Sequence, residues 1–184
     1  MLKRFFHICV LVLLLNACGS REAQRLLDQA EAVINENSSE AITILDSISN
    51  DGLSRSQRMR RLLLLTNAQN KCDTVFRSDS IQKLLVNYYE SHGTANERML
   101  AHYLLGRAYQ DIHDYPNALN NYQKAANHAD TTDIECDYAL LSRVYGQMSD
   151  VFYHQNLIEE DLKFNNLAIR YSWKAKDTLA AILG

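Results

Sequence analysis

The chain of 184 residues is 47% hydrophobic and 22% charged, which suits one globular domain or a short repeat array. Six glycines and one proline, set among many Ala and Leu, favour helix over sheet. A formal net charge of -3 leaves no basic face of the kind that marks nucleic-acid binding.

Residues 1–17 carry an export pattern rather than a piece of fold. Lys3 and Arg4 are followed by an apolar run from Phe5 to Leu15, shorter than the roughly 20 residues that span a bilayer. The run closes in Leu15-Asn16-Ala17-Cys18, which resembles the bacterial lipobox. The resemblance implies a lipoprotein signal peptide, with cleavage before Cys18 and acylation of Cys18 by palmitate-type chains. An ordinary secretory signal or an uncleaved anchor is the alternative. It also implies a place in the bacterial cell envelope, facing the periplasm, since Gly19 follows without a run of acids. Two acyl chains suffice for stable attachment to a membrane. Losing Lys3 and Arg4 leaves 17 basic against 22 acidic side chains, a net charge near -5, so the anchor and not charge would hold the membrane. Residues 18–20 are then a short tether. Cys72 and Cys136 remain as thiols, either paired in an oxidising compartment or separate; their places at helix ends in different repeats favour the second.

From Ser20 to Asn35 the apolar residues Ala23, Leu26, Leu27, Ala30, Val33 and Ile34 form the stripe of an amphipathic helix. Asn37-Ser38-Ser39 interrupts it, with Ser38 or Ser39 as cap of a second helix bearing Ala41, Ile42, Ile44, Leu45 and Ile48. Asn50-Asp51-Gly52 ends this first hairpin, about 21–49. Ser54-Arg55-Ser56-Gln57 reads as a capping box for a helix that includes Leu62–Leu65 and ends near Lys71. Four consecutive leucines touch every side of a helix, so this one is expected to be the most enclosed. Its partner carries Ile81, Leu84, Leu85, Tyr88 and Tyr89 and stops at Gly93, a residue suited to a left-handed cap, completing a hairpin of about 54–92.

Thr94-Ala95-Asn96-Glu97 is a second capping box. It opens the hairpin 95–129, in which Pro116 occupies the first turn of the second helix, where its missing N–H is no loss. Leu105-Gly106, Tyr109, Tyr115, Ala118, Tyr122 and Ala125 lie at the spacings of small and large residues in the tetratricopeptide repeat, which this stretch resembles, although His102 and Asp130 depart from the pattern. The opening AEAVINENSSEAITILDSI resembles the first repeat of tetratricopeptide lipoproteins from the Bacteroidetes group of bacteria. A further hairpin, 134–175, aligns with the previous one at a shift of 43 residues, with Asp161 and Asn165 where an alanine and an aromatic are expected. Asp177-Thr178 starts one more helix, whose Leu179–Leu183 segment could serve self-association, and the natural chain is expected to continue or to meet a partner there. The resemblance implies an all-α chain over 21–184: tetratricopeptide-like antiparallel helical hairpins stacked in a right-handed superhelix, an α-α solenoid.

No catalytic motif is present: no GxSxG, phosphate loop, HExxH or paired CxxC. Asp111, His113 and Asp114 read as solvated turn residues rather than a metal site, and His92, His102, His128 and His154 share no ligand spacing. The chain is therefore expected to be no enzyme and to need no cofactor and no metal. Carrying over the family's groove positions places Tyr103, Arg107, Gln110 and Asp111 on the concave surface, with Arg143, Asp150, Tyr153 and His154 from the next repeat. Such a surface would hold a protein or peptide segment, which makes the expected function a non-catalytic, membrane-anchored interaction scaffold without nucleic-acid partners. The rival expectations are the sensory part of a longer signalling protein and a glycan-binding lipoprotein of a nutrient-uptake system, the latter disfavoured by a single Trp, Trp173.

Overall fold

The computed structural model describes residues 21–176, and they are all-helical, with eight helices and no strand among them. The expected signal peptide, Cys18 and the helix expected from Asp177 lie outside the described residues. The helices are α1 (21–33), α2 (Ser38–Ser47), α3 (Arg55–Lys71), α4 (Ser80–His92), α5 (Ala95–Asp111), α6 (Tyr115–His128), α7 (Tyr138–His154) and α8 (Ile158–Lys174). None of the described helices is long and apolar enough to cross a membrane. The chain divides after Thr74 into two compact units. The segment 54–92, one hairpin in the sequence reading, is thereby shared between them, α3 in the first unit and α4 in the second.

In the first unit the α1 stripe Ala23, Leu27, Ala30 and Ile34 is buried with Ala41 and Leu45 of α2 and Leu64 and Ala68 of α3. Each fully buried leucine of this set contributes about 2 kcal/mol of transfer free energy. Arg61 on α3 donates from Nε to the carbonyl of Leu45 at 2.7 Å, a shorter bond than the 3.4 Å that this carbonyl receives from the Ile48 N–H at the end of α2. Arg60 bridges Asp28 and Glu31 on α1, but both carboxylates are more than half exposed, so these ion pairs add little.

Two helix starts follow their sequence signatures closely. Ser54 accepts from the Gln57 N–H while the Gln57 side chain returns to the Ser54 backbone, and Thr94 and Glu97 do the same one helix pair later. Arg58 then donates to the Leu53 carbonyl and Arg98 to the Gly93 carbonyl, so the same device recurs at an offset of 40 residues. The cap of α2, by contrast, is Asn37 rather than Ser38 or Ser39: its Oδ1 accepts from the Glu40 N–H at 3.1 Å, while Ser38 Oγ turns back to the Ile34 carbonyl.

The helix ends hold a larger surprise. Residues two past the ends of α3, α5, α7 and α8 are left-handed without being glycine: Asp73 (φ 54°), His113 (63°), Asn156 (57°) and Lys176 (58°). After the first three, the next N–H closes a six-residue loop onto the helix, Thr74 to the Gln69 carbonyl, Asp114 to Tyr109 and Leu157 to Phe152, at 2.8–3.1 Å. Asp, Asn and His tolerate this region better than most side chains do. Gly93 is the reverse case. Its φ of -95° is extended, not left-handed, and the glycine is used for close approach, since a Cβ there would lie 2.8 Å from the Tyr89 carbonyl oxygen.

In the second unit α5 packs against α4, α6 and α7, and α7 packs against α8. Ser142 bonds to Ala168 and Ser149 to Asp161, pairs that converge towards the connecting turn, so α7 and α8 are antiparallel. Between α5 and α7 the partners stay about 40 residues apart, Asn96 with Asp137, Arg107 with Gln147 and Gln110 with Asp150, so those two helices run the same way. Starts and ends of α5 and α7 differ by 43 residues, as do the starts of α6 and α8 and the left-handed residues His113 and Asn156. Ala101–Gly106 is an unbroken buried run. The most enclosed helix is therefore α5 and not the leucine-rich α3, in which Leu62 and Leu65 are only half-buried.

Cys72 and Cys136 are both free thiols. Burial, and then the carboxylates of Asp137, Asp130 and Asp133, push the Cys136 thiol above its ordinary range. Because the thiolate is the nucleophile, a raised value leaves less of it at a given pH. Alkylation of Cys136 at about pH 8 is expected to run several-fold slower than that of free cysteine, and to keep accelerating at higher pH after free cysteine has levelled off. Peptide-resolved mass spectrometry after timed iodoacetamide pulses measures this; a rate equal to that of free cysteine at both pH values would refute it.

Candidate partner-binding cleft

The second unit carries a cleft of about 480 Å³ whose walls come from α5, α7 and α8, chiefly Arg107, Arg143, Gly146, Asp150, Asn165 and Ile169. Its origin is visible in the 43-residue register. Within the α5–α6 hairpin Tyr103 and Tyr122 pack with ring centroids 6.1 Å apart and are 4% and 0% exposed. The positions 43 residues on are Gly146 and Asn165, and both line the cleft. Two aromatic side chains are thus exchanged for a hydrogen and a small amide, and the space they would fill is left as a hollow. A Cβ built on Gly146 meets nothing within 4 Å.

Charge on the walls is distributed unequally. Arg107 Nη1 donates to Gln147 Oε1 at 2.6 Å, and its Nη2 faces Asp111 Oδ1 at 3.4 Å. Asp111, only 11% exposed, also accepts the Phe76 N–H on Oδ2 at 2.8 Å, which ties the start of the unit to the end of α5. Gln110 links the interior to the cleft: its Oε1 accepts the Tyr122 hydroxyl at 2.6 Å and its Nε2 donates to Asp150 Oδ2 at 2.7 Å. The other Asp150 oxygen lies 3.4 Å from His154 Nε2. Arg143 is half-buried on the wall and has no hydrogen bond or ion pair with any described residue. A guanidinium so placed offers a planar pair of donors to a carboxylate.

Of the eight groove positions expected from the sequence, Arg107, Arg143 and Asp150 line the cleft, while Gln110 and Asp111 brace it from behind. Tyr103 does not belong there. It faces the α5–α6 interior against Tyr122, so it is a packing residue. Tyr153 is 59% exposed and sits edge-on to His154 near the end of α7, outside the lining. Ser142 and Ser149 donate to carbonyls of α8, those of Ala168 and Asp161. Asp111 is not the solvated turn residue expected, being the last residue of α5 and 11% exposed, while His113 contacts the Tyr115 hydroxyl and Asp114 caps α6 through the Asn117 N–H. The sequence reading missed Gly146, Asn165 and Gln147 as cleft residues. It also missed that Glu90, His102 and His128 come together from α4, α5 and α6. Comparison with known proteins finds no matching family model, no similar curated protein and no similar solved structure.

Proposed function

We propose that this chain is a non-catalytic interaction scaffold of tetratricopeptide-like hairpins, held to a bacterial envelope membrane by lipid on Cys18 and facing the periplasm. It binds a protein or peptide segment bearing a carboxylate in the cleft between α5, α7 and α8. The observation that carries the reading is Arg143, a half-buried cation without a described partner on the wall of a cleft that has room for a ligand. Further support comes from the cap device shared by α3 and α5 and the 43-residue register of α5–α6 with α7–α8, both marks of a helical repeat. Anchoring would add to affinity for membrane partners by raising local concentration.

The test is affinity capture from the native envelope with the parent chain and with Arg143→Ala and Gly146→Leu. Arg143 leaves no described partner behind when it is removed, and Gly146 has open space for a larger side chain, so both variants should fold. Loss of a charge-assisted hydrogen-bond pair is worth about 2 kcal/mol, so partner recovery should fall at least tenfold with Arg143→Ala, and Gly146→Leu should block the cleft. A Cys18→Ser chain should leave the membrane fraction. Equal recovery by both cleft variants would sink the cleft assignment, and a membrane-bound Cys18→Ser chain would sink the anchor.

A further inference from the structure

Three helices of the second unit bring Glu90 (α4), His102 (α5) and His128 (α6) together. His102 Nε2 lies 2.6 Å from Glu90 Oε1 and His128 Nε2 lies 3.3 Å from the same oxygen. All three donor atoms fall within 4.8 Å of one another, and the two imidazole rings stack with centroids 5.2 Å apart. His102 is 3% exposed, His128 and Glu90 progressively more so, which leaves the cluster open on the Glu90 side.

The hydrogen-bond network settles which nitrogen of His102 is free. Asn121 Nδ2 donates to the Asn117 carbonyl at 2.9 Å, and a carbonyl can only accept, so Asn121 presents Oδ1 to the imidazole. His102 Nδ1, 3.1 Å from that oxygen, must therefore carry the proton. In the neutral ring Nε2 then bears its lone pair, and it points at a carboxylate oxygen that itself has only lone pairs to offer. A second imidazole nitrogen approaches the same oxygen. The His102 contact needs a proton or a metal ion between two lone pairs, whereas His128 Nε2 either donates to the same carboxylate as the Nε2–H tautomer or offers a lone pair to a shared ion. A proton serves these contacts one at a time; a metal ion is the species that engages all three donor atoms at once.

We infer that Glu90, His102 and His128 form a binding site for a divalent transition-metal ion of the Zn2+ class, with Asn121 orienting His102 from behind. Two imidazoles and one carboxylate are a zinc donor set, whereas calcium and magnesium take oxygen ligands. Tetrahedral coordination at ~2.0–2.1 Å places donors about 3.3 Å apart, between the shorter and longer separations here, so small shifts of the exposed Glu90 and of His128 suffice. The Asn121 amide fixes both tautomer and ring orientation, as outer-sphere partners of metal-bound histidines do. The bound ion would tie α4, α5 and α6 together at one point, with the fourth position left to water.

The experiment is titration of ZnCl2, followed by calorimetry, into the full chain after metal stripping with EDTA, alongside Glu90→Gln, His128→Ala and the distant control His154→Ala. The expected result is one zinc per chain, at least tenfold weaker in Glu90→Gln and in His128→Ala and unchanged in His154→Ala. Zinc at a hundredfold excess over Kd should also raise the unfolding temperature of the parent chain by roughly 10 °C. Both substituted side chains are partly exposed, which favours folding of the variants; the parent titration stands whether they fold or not. Absence of stoichiometric zinc binding by the parent chain would overturn the inference, and so would binding that survives both substitutions.

Discussion

Tyr122→Ala is expected to remove about 4 kcal/mol from the stability of the second unit, the range for truncating a large buried aromatic side chain. Tyr122 is 0% exposed. Its ring lies over Gly106 on one side and beside Tyr103 on another, and its hydroxyl donates to Gln110. Burial pushes the phenol well above its ordinary pKa, so at neutral pH it is a neutral donor. Truncation opens a cavity between α5 and α6 and strands Gln110 Oε1, two losses with separate signatures. Tyr122→Phe keeps the ring and should lose only about 1 kcal/mol, the net worth of one hydrogen bond. Trp173, the only tryptophan, lies on α8 in the same unit, so its fluorescence in a urea titration reports the relevant transition. Against a total of about 5–15 kcal/mol, a 4 kcal/mol loss moves the midpoint far at unchanged slope. A loss below about 1.5 kcal/mol would mean that the α5–α6 core does not depend on this ring.

What was legible in the sequence depended on how local its cause is. Capping boxes need residues three apart, and Ser54–Gln57 and Thr94–Glu97 are where their signatures lie. The all-helical class follows from apolar periodicity and scarce Gly and Pro, and the described residues bear it out. Helix ends were harder, because the left-handed residue is conventionally sought at glycine. Here Asp73, His113, Asn156 and Lys176 take that role, and Gly93 is held by close packing on Tyr89 instead. Enclosure was misjudged for a related reason. The composition of a helix says how much it can bury, but only its neighbours decide how much it does, and α5 has α4, α6 and α7 around it.

The candidate site shows the same division. Arg107, Arg143 and Asp150 were reached through the repeat resemblance, and they do share a cleft. Tyr103 was carried along by the same template although its partner is Tyr122 in the interior. Gly146 and Asn165 line the hollow, 43 residues on from Tyr103 and Tyr122. Asn165 standing where an aromatic was expected was thus the signal, but spacing alone does not say whether the missing ring leaves an opening. Glu90, His102 and His128 left no sequence signature, since metal-ligand spacings describe a single helix or turn and these three side chains come from three helices.

Gly106→Ala should destabilise the same unit by about 2 kcal/mol, although alanine is the better helix former by ~1 kcal/mol. A Cβ at Gly106 would lie 2.4 and 2.5 Å from Cε1 and Cδ1 of Tyr122. A fully buried ring cannot yield without disturbing Tyr103 and Gln110, and overpacking of this kind costs about 1–3 kcal/mol or more. Gly146→Ala isolates the propensity term, since its Cβ enters open space in the interior of α7; it should stabilise by about 0.7 kcal/mol. The decisive comparison is a double-mutant cycle. In a Tyr122→Leu background the clashing ring atoms are gone, so Gly106→Ala should change sign and stabilise, giving a coupling of about 3 kcal/mol between the two positions. Additive losses would show that the strain at Gly106 arises from some contact other than Tyr122. Loss in the parent with gain in the Tyr122→Leu background would locate the closest approach of α5 and α6 at this pair, and would explain why a small residue is required at 106 where the α7–α8 hairpin carries Ser149 and Asn165 instead.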